Sequence, residues 1–322
     1  MGGLSKRFLE RLRDGRPLVL DAAMGTELQR RDADTRLPLW SAGPLLRDPE
    51  LVEAIHGDEA AAGADVLTAN TFRTHARSVR AGGSGADAAA LTARAVGLAH
   101  RAAAMPRREI FVAGSLSPLE DCYRPDLAPD DATLETEHAA QARELAAAGA
   151  DLILAETHNS IREAAAALLA AKATGLPVAV SLVTDGKGRL LSGETIEDAA
   201  ARLVPLGPDA IGINCVPAAR VLFELDRLKG AAGSTPLLAY GNLGLPQDEK
   251  GWEFSEELAP EAYAEEAARW LALGARIVGG CCGTTPDHTR AVRALIDGMN
   301  EDASKSQGSA PRPSAFFRSS SS

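Results

Sequence analysis

Three cysteines fall at the ends of apolar runs. Cys281 and Cys282 are adjacent in Ile277-Val278-Gly279-Gly280-Cys281-Cys282-Gly283-Thr284, and Cys215 closes Ala210-Ile211-Gly212-Ile213-Asn214-Cys215. Short apolar runs followed by turn residues read as buried strands, and the glycines let neighbouring backbone approach closely. Vicinal cysteines seldom bridge each other because the ring is strained, so three thiols brought together favour a soft or borderline metal, in practice Zn2+. Three ligands would leave a fourth position open for a substrate or water. Inert buried cysteine and a redox pair are the alternatives, and the Cys-x-x-Cys spacing of the latter is missing. The 66 residues between Cys215 and Cys281 are too many for a zinc ribbon or finger. Only a fold that gathers strand ends can unite them.

Acidic residues end two further strand-like runs, Leu18-Val19-Leu20-Asp21 and Leu152-Ile153-Leu154-Ala155-Glu156. At a shared mouth, Asp21 and Glu156 would attract a cationic group such as an ammonium, with capping or loop hydrogen bonding as the plainer role. The tight turn Met24-Gly25-Thr26 after Asp21 offers backbone N–H groups to a carboxylate. No histidine pair has metal-ligand spacing. His158, two residues past Glu156, is the histidine expected nearest the mouth.

The elements that must position these residues alternate along the chain. Eight strand runs begin near Pro17, Asp65, Ile110, Asp151, Pro177, Asp209, Pro236 and Ala275, and helix-period segments lie between them. Three helices end in a glycine directly before the next strand, at Gly63, Gly149 and Gly274. Ser5–Arg13 reads as a short amphipathic helix plugging one end of the core. Segments 32–48 and 241–257 read as loops. Eight strand-and-helix units in roughly 290 residues predict an α/β fold, a single (β/α)8 TIM barrel, with its site at the C-terminal strand ends. A doubly wound open sheet is the alternative. Residues 1–300 form the expected barrel domain, and the Ser- and Pro-rich residues 301–322 a disordered tail.

The 322-residue chain has net charge −10 and a pI near 5.2, with no basic stripe, which argues against a nucleic-acid partner. No apolar stretch approaches the ~20 residues that span a bilayer, so no membrane association is expected. Four cysteines without a disulfide framework fit a reducing, cytoplasmic compartment.

The sequence resembles the zinc-dependent homocysteine S-methyltransferase family, over about residues 15 to 298. The motifs that carry the resemblance are Leu20-Asp21-Ala22-Ala23-Met24-Gly25-Thr26, Gly212-Ile213-Asn214-Cys215 and Gly279-Gly280-Cys281-Cys282-Gly283-Thr284. The resemblance implies zinc on Cys215, Cys281 and Cys282, the homocysteine ammonium at Asp21 and Glu156, and its carboxylate on backbone groups of Met24, Gly25 and Thr26. It implies no catalytic side chain beyond these, the zinc-bound substrate thiolate being the nucleophile. Ala22 departs from the family's glycine. The resemblance implies methyl transfer to homocysteine, giving methionine, from a sulfonium, ammonium or corrinoid donor; a small sulfonium or ammonium donor is the expectation here, with Trp40 and Phe72 near the cation and loop or core packing as their plainer role. The alternatives are a barrel subunit served by a separate corrinoid protein, or a non-catalytic barrel that binds zinc and thiols, which would need Cys122 as a fourth ligand.

Overall fold

The computed structural model describes residues 2–247, 251–254 and 258–308. Eight strands pair in parallel: β1 (Leu18–Val19), β2 (Val66–Ala69), β3 (Phe111–Leu116), β4 (Leu152–His158), β5 (Val178–Leu182), β6 (Ala210–Pro217), β7 (Leu237–Asn242) and β10 (Ala275–Gly280). Between the last two in sequence lies a small antiparallel hairpin, β8 (Leu245–Gln247) and β9 (Gly251–Glu253). The parallel strands run in the order β1-β10-β7-β6-β5-β4-β3-β2. β1 returns to β2 through a parallel bridge between Leu20 and Val66, with Asp65 N–H donating to Val19 O at 2.7 Å and Asp21 N–H to Val66 O at 3.1 Å. An open doubly wound sheet would leave both strands as edges, so the expected (β/α)8 barrel is the fold.

β3, β4, β5 and β7 are buried along their whole length because side chains pack inside the barrel and under the helices outside it. The helix starts are fixed locally. Asp48, Asp87, Asp130, Ser160 and Thr195 each accept the N–H three residues on, and Thr195 with Asp198 completes a capping box. Gly63, Gly149 and Gly274 have φ of 113°, 90° and 114°, so each turns the chain left-handed out of a helix into the next strand.

The strand starts are sealed. Phe8 of helix Gly3–Arg13 meets Phe111 edge-on at 5.5 Å, and Ser5 Oγ donates to Asp151 O at 2.8 Å, as expected of a plug. Asp65, Asp151 and Asp209 accept the N–H groups of Val19, Val112 and Val178, each at 2.9 Å. Each aspartate thereby ties its own strand start to the strand beside it.

The segments expected to be loops carry more structure. Trp40–Ala42 is a 3-10 turn running into helix Gly43–Arg47, and outside those segments helix Ala76–Ala81, for which the sequence predicts no element, follows β2. These pieces are too short to show a hydrophobic period. The 241–257 segment contains the β8–β9 hairpin. The final helix, Pro286–Gly308, runs past residue 300, and the rest of the expected tail lies outside the described residues. Among the described residues no helix is long and apolar enough to cross a membrane.

Candidate metal centre and substrate cavity

Cys215 stands at the exit of β6 in a left-handed conformation, φ 56°, and Thr157 at the exit of β4 has φ 61°. Non-glycine residues avoid this region, so surrounding contacts must hold them there. Asn214 braces the second of them and the sheet beside it. Its Oδ1 accepts from Thr157 N–H at 3.1 Å and Ser181 Oγ at 2.8 Å, and its Nδ2 donates to Thr157 Oγ1 at 2.8 Å. Cys281 and Cys282 follow β10. Cys281 N–H donates to Gly241 O at 3.0 Å, and Cys282 O accepts Leu243 N–H at 2.8 Å. Gly283 turns back with φ 85°, and a Cβ there would lie 1.8 Å from Leu243 O, so only glycine fits.

The result is a buried triad of thiols. Cys215 Sγ lies 3.2 Å from Cys281 Sγ and 4.0 Å from Cys282 Sγ, and all three sulfurs fall within 4.8 Å of one another. A tetrahedral metal with sulfur bonds of about 2.3 Å has sulfur–sulfur edges of about 3.8 Å, inside that range. The donor set therefore fits a metal ion. Hydrogen bonds from Cys281 and Cys282 push the Cys215 thiol well below its ordinary value, while the same bonds hold Cys281 and Cys282 well above it. Tyr123 Oη, 3.4 Å from Cys215 Sγ, adds a further contact. Among the described residues these three cysteines are the group placed to hold a metal; Cys122 lines the same cavity but stands outside that group.

The cavity has a volume of about 630 Å³ and opens at the C-terminal ends of the strands. Asp21, Ala22, Met24, Gly25, Glu156 and all three metal-site cysteines line it. Asp21 is 4% exposed and accepts from Thr68 N–H at 2.7 Å and Thr68 Oγ1 at 2.8 Å. Burial, and then the charge of Glu59, raise its pKa well above the carboxylate range. Glu156 accepts from Ser115 Oγ at 2.5 Å and Tyr240 Oη at 3.1 Å, and burial raises it to about 7. Ser181 joins Tyr240 at 2.6 Å and so ties this carboxylate to the Asn214 brace. Neither acid has a cation within ion-pair distance among the described residues.

Thr26 sits differently from its neighbours. Its Oγ1 accepts Gly283 N–H at 3.0 Å, so this side chain clamps the cysteine loop behind the cavity. His158 is turned away from the cavity. It is fully buried, with Nε2 3.2 Å from Leu116 O and its ring 5.8 Å from His138, because β4 shifts register between Ala155 and His158. Trp40 and Phe72 meet edge-on at 5.6 Å on the cavity wall, and Trp40 packs over Gly25. Several partners of the site gave no signal of their own in the sequence. Glu59, Tyr123 and Tyr240 lie inside ordinary-looking helices, strands or loops, and Asn214 stands out only as part of the Cys215 motif; long-range contacts give all four their roles.

A family model described as homocysteine S-methyltransferase matches residues 18–296. The chain belongs to this family. Over 296 residues it is 33% identical to homocysteine S-methyltransferase of Escherichia coli, covering 86% of this chain and 94% of that protein. Over 304 residues it is 32% identical to methionine synthase of Mycobacterium leprae, covering 89% of this chain. The chain spans about a quarter of the length of the methionine synthases it matches. The crystal structure of the E. coli homocysteine methyltransferase MmuM in its metallated form superposes with a TM-score of 0.76 at 30% identity, covering 88% of this chain and 99% of that one.

Proposed function

We propose that the protein is a zinc-dependent S-methyltransferase that moves a methyl group from a small sulfonium or ammonium donor to homocysteine, giving methionine. The observation that carries this reading is a triad of buried thiols on one wall of a cavity that also presents two buried, cation-free carboxylates. Structural zinc normally has four protein ligands, and three leave room for a substrate thiol. Cys215, Cys281 and Cys282 would hold the ion, which when bound supplies the positive charge that keeps such a thiol deprotonated near neutral pH.

The residues of the chain do the rest. Asp21 and Glu156 receive the ammonium of homocysteine, whose charge returns both carboxyls to the ionised form that burial alone disfavours. The first N–H groups of a helix lack intrahelical partners, so those of Met24, Gly25 and Thr26 are available to the substrate carboxylate. Trp40 and Phe72, on the cavity wall, would offer a ring face to the onium centre. The thiolate sulfur attacks the methyl carbon while the bond to the onium atom breaks, and its electron pair leaves with the donor as a neutral thioether or amine. No general acid is required. Alignment of the two substrates in one cavity supplies the effective concentration.

The test is methionine formation from homocysteine with S-methylmethionine, betaine, simple dimethylsulfonium compounds and methylcobalamin in separate reactions. Turnover with a small onium donor is expected. The match to one quarter of the methionine synthases favours a second reading, a barrel served by a corrinoid protein. Turnover with methylcobalamin or an added corrinoid protein alone would select it.

A further inference from the structure

Arg73 follows Phe72 at the exit of β2 and lines the cavity, yet it is 8% exposed. Its Nη1 donates to Glu120 O at 3.0 Å, its Nε is buried without a partner, and its guanidinium carbon lies 5.5 Å from the centre of the Phe72 ring. The other arginines on the cavity wall are engaged: Arg36 by Asp34 and Arg124 by Asp126. Among the described residues, Arg73 has no carboxylate within ion-pair distance.

One hydrogen bond and one cation–π contact do not replace the ion partner that a buried charge needs. A guanidinium on a cavity wall with no carboxylate partner among the described residues is a receptor for an anion, because its N–H groups pair with a carboxylate.

Its location decides which anion. The acidic groups Asp21 and Glu156 and the thiols line the same cavity. The Trp40–Phe72 pair stands next to Arg73 through Phe72 itself. A ligand that seats its onium group by these rings presents its far end to the guanidinium.

We propose that Arg73 is the anion anchor for the methyl donor: its guanidinium receives a carboxylate carried by the donor, so the cavity selects zwitterionic onium compounds over plain cations. This rests on the methyltransferase reading for the identity of the ligand, and the test separates the two. Zinc-loaded protein without homocysteine, so that no turnover occurs, is titrated with dimethylsulfonioacetate and with trimethylsulfonium, two sulfonium probes of which only the first carries a carboxylate. Trp40 and Trp252 on the cavity wall serve as fluorescence reporters. Homocysteine is titrated in parallel.

The wild-type protein is expected to bind the carboxylate-bearing probe at least about 10-fold more tightly. Arg73→Ala is expected to weaken that probe about 30-fold, to leave trimethylsulfonium and homocysteine within about twofold, and Arg73→Lys to fall between, since it keeps the charge and stem but loses the fork. Arg73→Lys also decides the matter if the alanine variant fails to fold. Absence of discrimination in the wild type, equal loss of both probes, or selective loss of homocysteine would each overturn the assignment. Failure of homocysteine to bind wild-type protein, with discrimination between the probes intact, would reject the methyltransferase reading and leave the anion anchor standing.

Discussion

At the strand starts, Asp65 accepts Val19 N–H and pairs with Arg293 at 2.9 Å, and Asp151 and Asp209 accept backbone N–H groups in the same way. At the strand exits, Asp21 and Glu156 are buried, more deeply than Asp65 and Asp209, but they receive hydroxyl and amide donors and no cation among the described residues. Among the described residues one strand-start acid, Asp65, is paired with arginines, whereas both of these strand-exit acids are left short of positive charge. A buried acid with its partners in place stabilises; one that waits for a cation costs stability until the cation arrives. On the proposed function, the contrast separates the end that holds the barrel together from the end that would bind substrate.

Neutral isosteres give the largest expected difference between the two ends. Asp21→Asn and Glu156→Gln should keep their metal and raise the Michaelis constant for homocysteine by about 30-fold or more, the effect of removing one partner of a buried charge pair. Their thermal stability without ligand should be unchanged or higher, because burial already favours the protonated acids, which the amides resemble, over the carboxylates. Steady-state kinetics and a melting curve on the same samples test both halves. An unchanged Michaelis constant in both variants would remove these acids from the substrate site.

Asp65→Asn should do the reverse. Loss of the Arg293 pair and weakening of the Val19 bond should lower stability by about 3 kcal/mol, the range for breaking a buried ion pair, with the Michaelis constant of the folded protein unmoved. Denaturant unfolding measures it. A large kinetic effect at wild-type stability would erase the distinction between the ends.

A smaller effect sharpens the picture behind Asp21. Glu59 is buried, accepts from Thr289 Oγ1 at 2.7 Å, and burial raises it from 4.5 to about 7. Its folded pKa lies above its unfolded one, so its contribution to stability is complete below about pH 4.5 and is lost as pH rises through about 7. The shift corresponds to on the order of 3 kcal/mol at about 1.4 kcal/mol per pH unit. Melting temperature of the ligand-free protein should therefore decline across that window, and Glu59→Gln should flatten the decline. An identical slope in the variant would assign the pH dependence to other groups.

The barrel was legible because its strands are continuous apolar runs and Gly63, Gly149 and Gly274 punctuate the turns into them. The cysteines and the two acids were legible because chemistry-bearing residues ended those runs. What stayed hidden depends on contacts between distant positions. Asn214 acts by reaching Thr157 and Ser181, Glu59 by lying behind Asp21, and Arg73 by lacking an acid. His158 was expected at the mouth by simple counting from Glu156, but the register shift in β4 turns it toward His138. The short helices Gly43–Arg47 and Ala76–Ala81 were missed because fewer than two turns carry no measurable period.

Metal content of four single variants tests the centre itself. Wild-type protein and Cys122→Ala should each bind one zinc per chain, and Cys215→Ala, Cys281→Ala and Cys282→Ala should each lose it, since two thiols no longer complete the site. Loss of zinc from Cys122→Ala with retention in the other three would contradict the three-thiol centre.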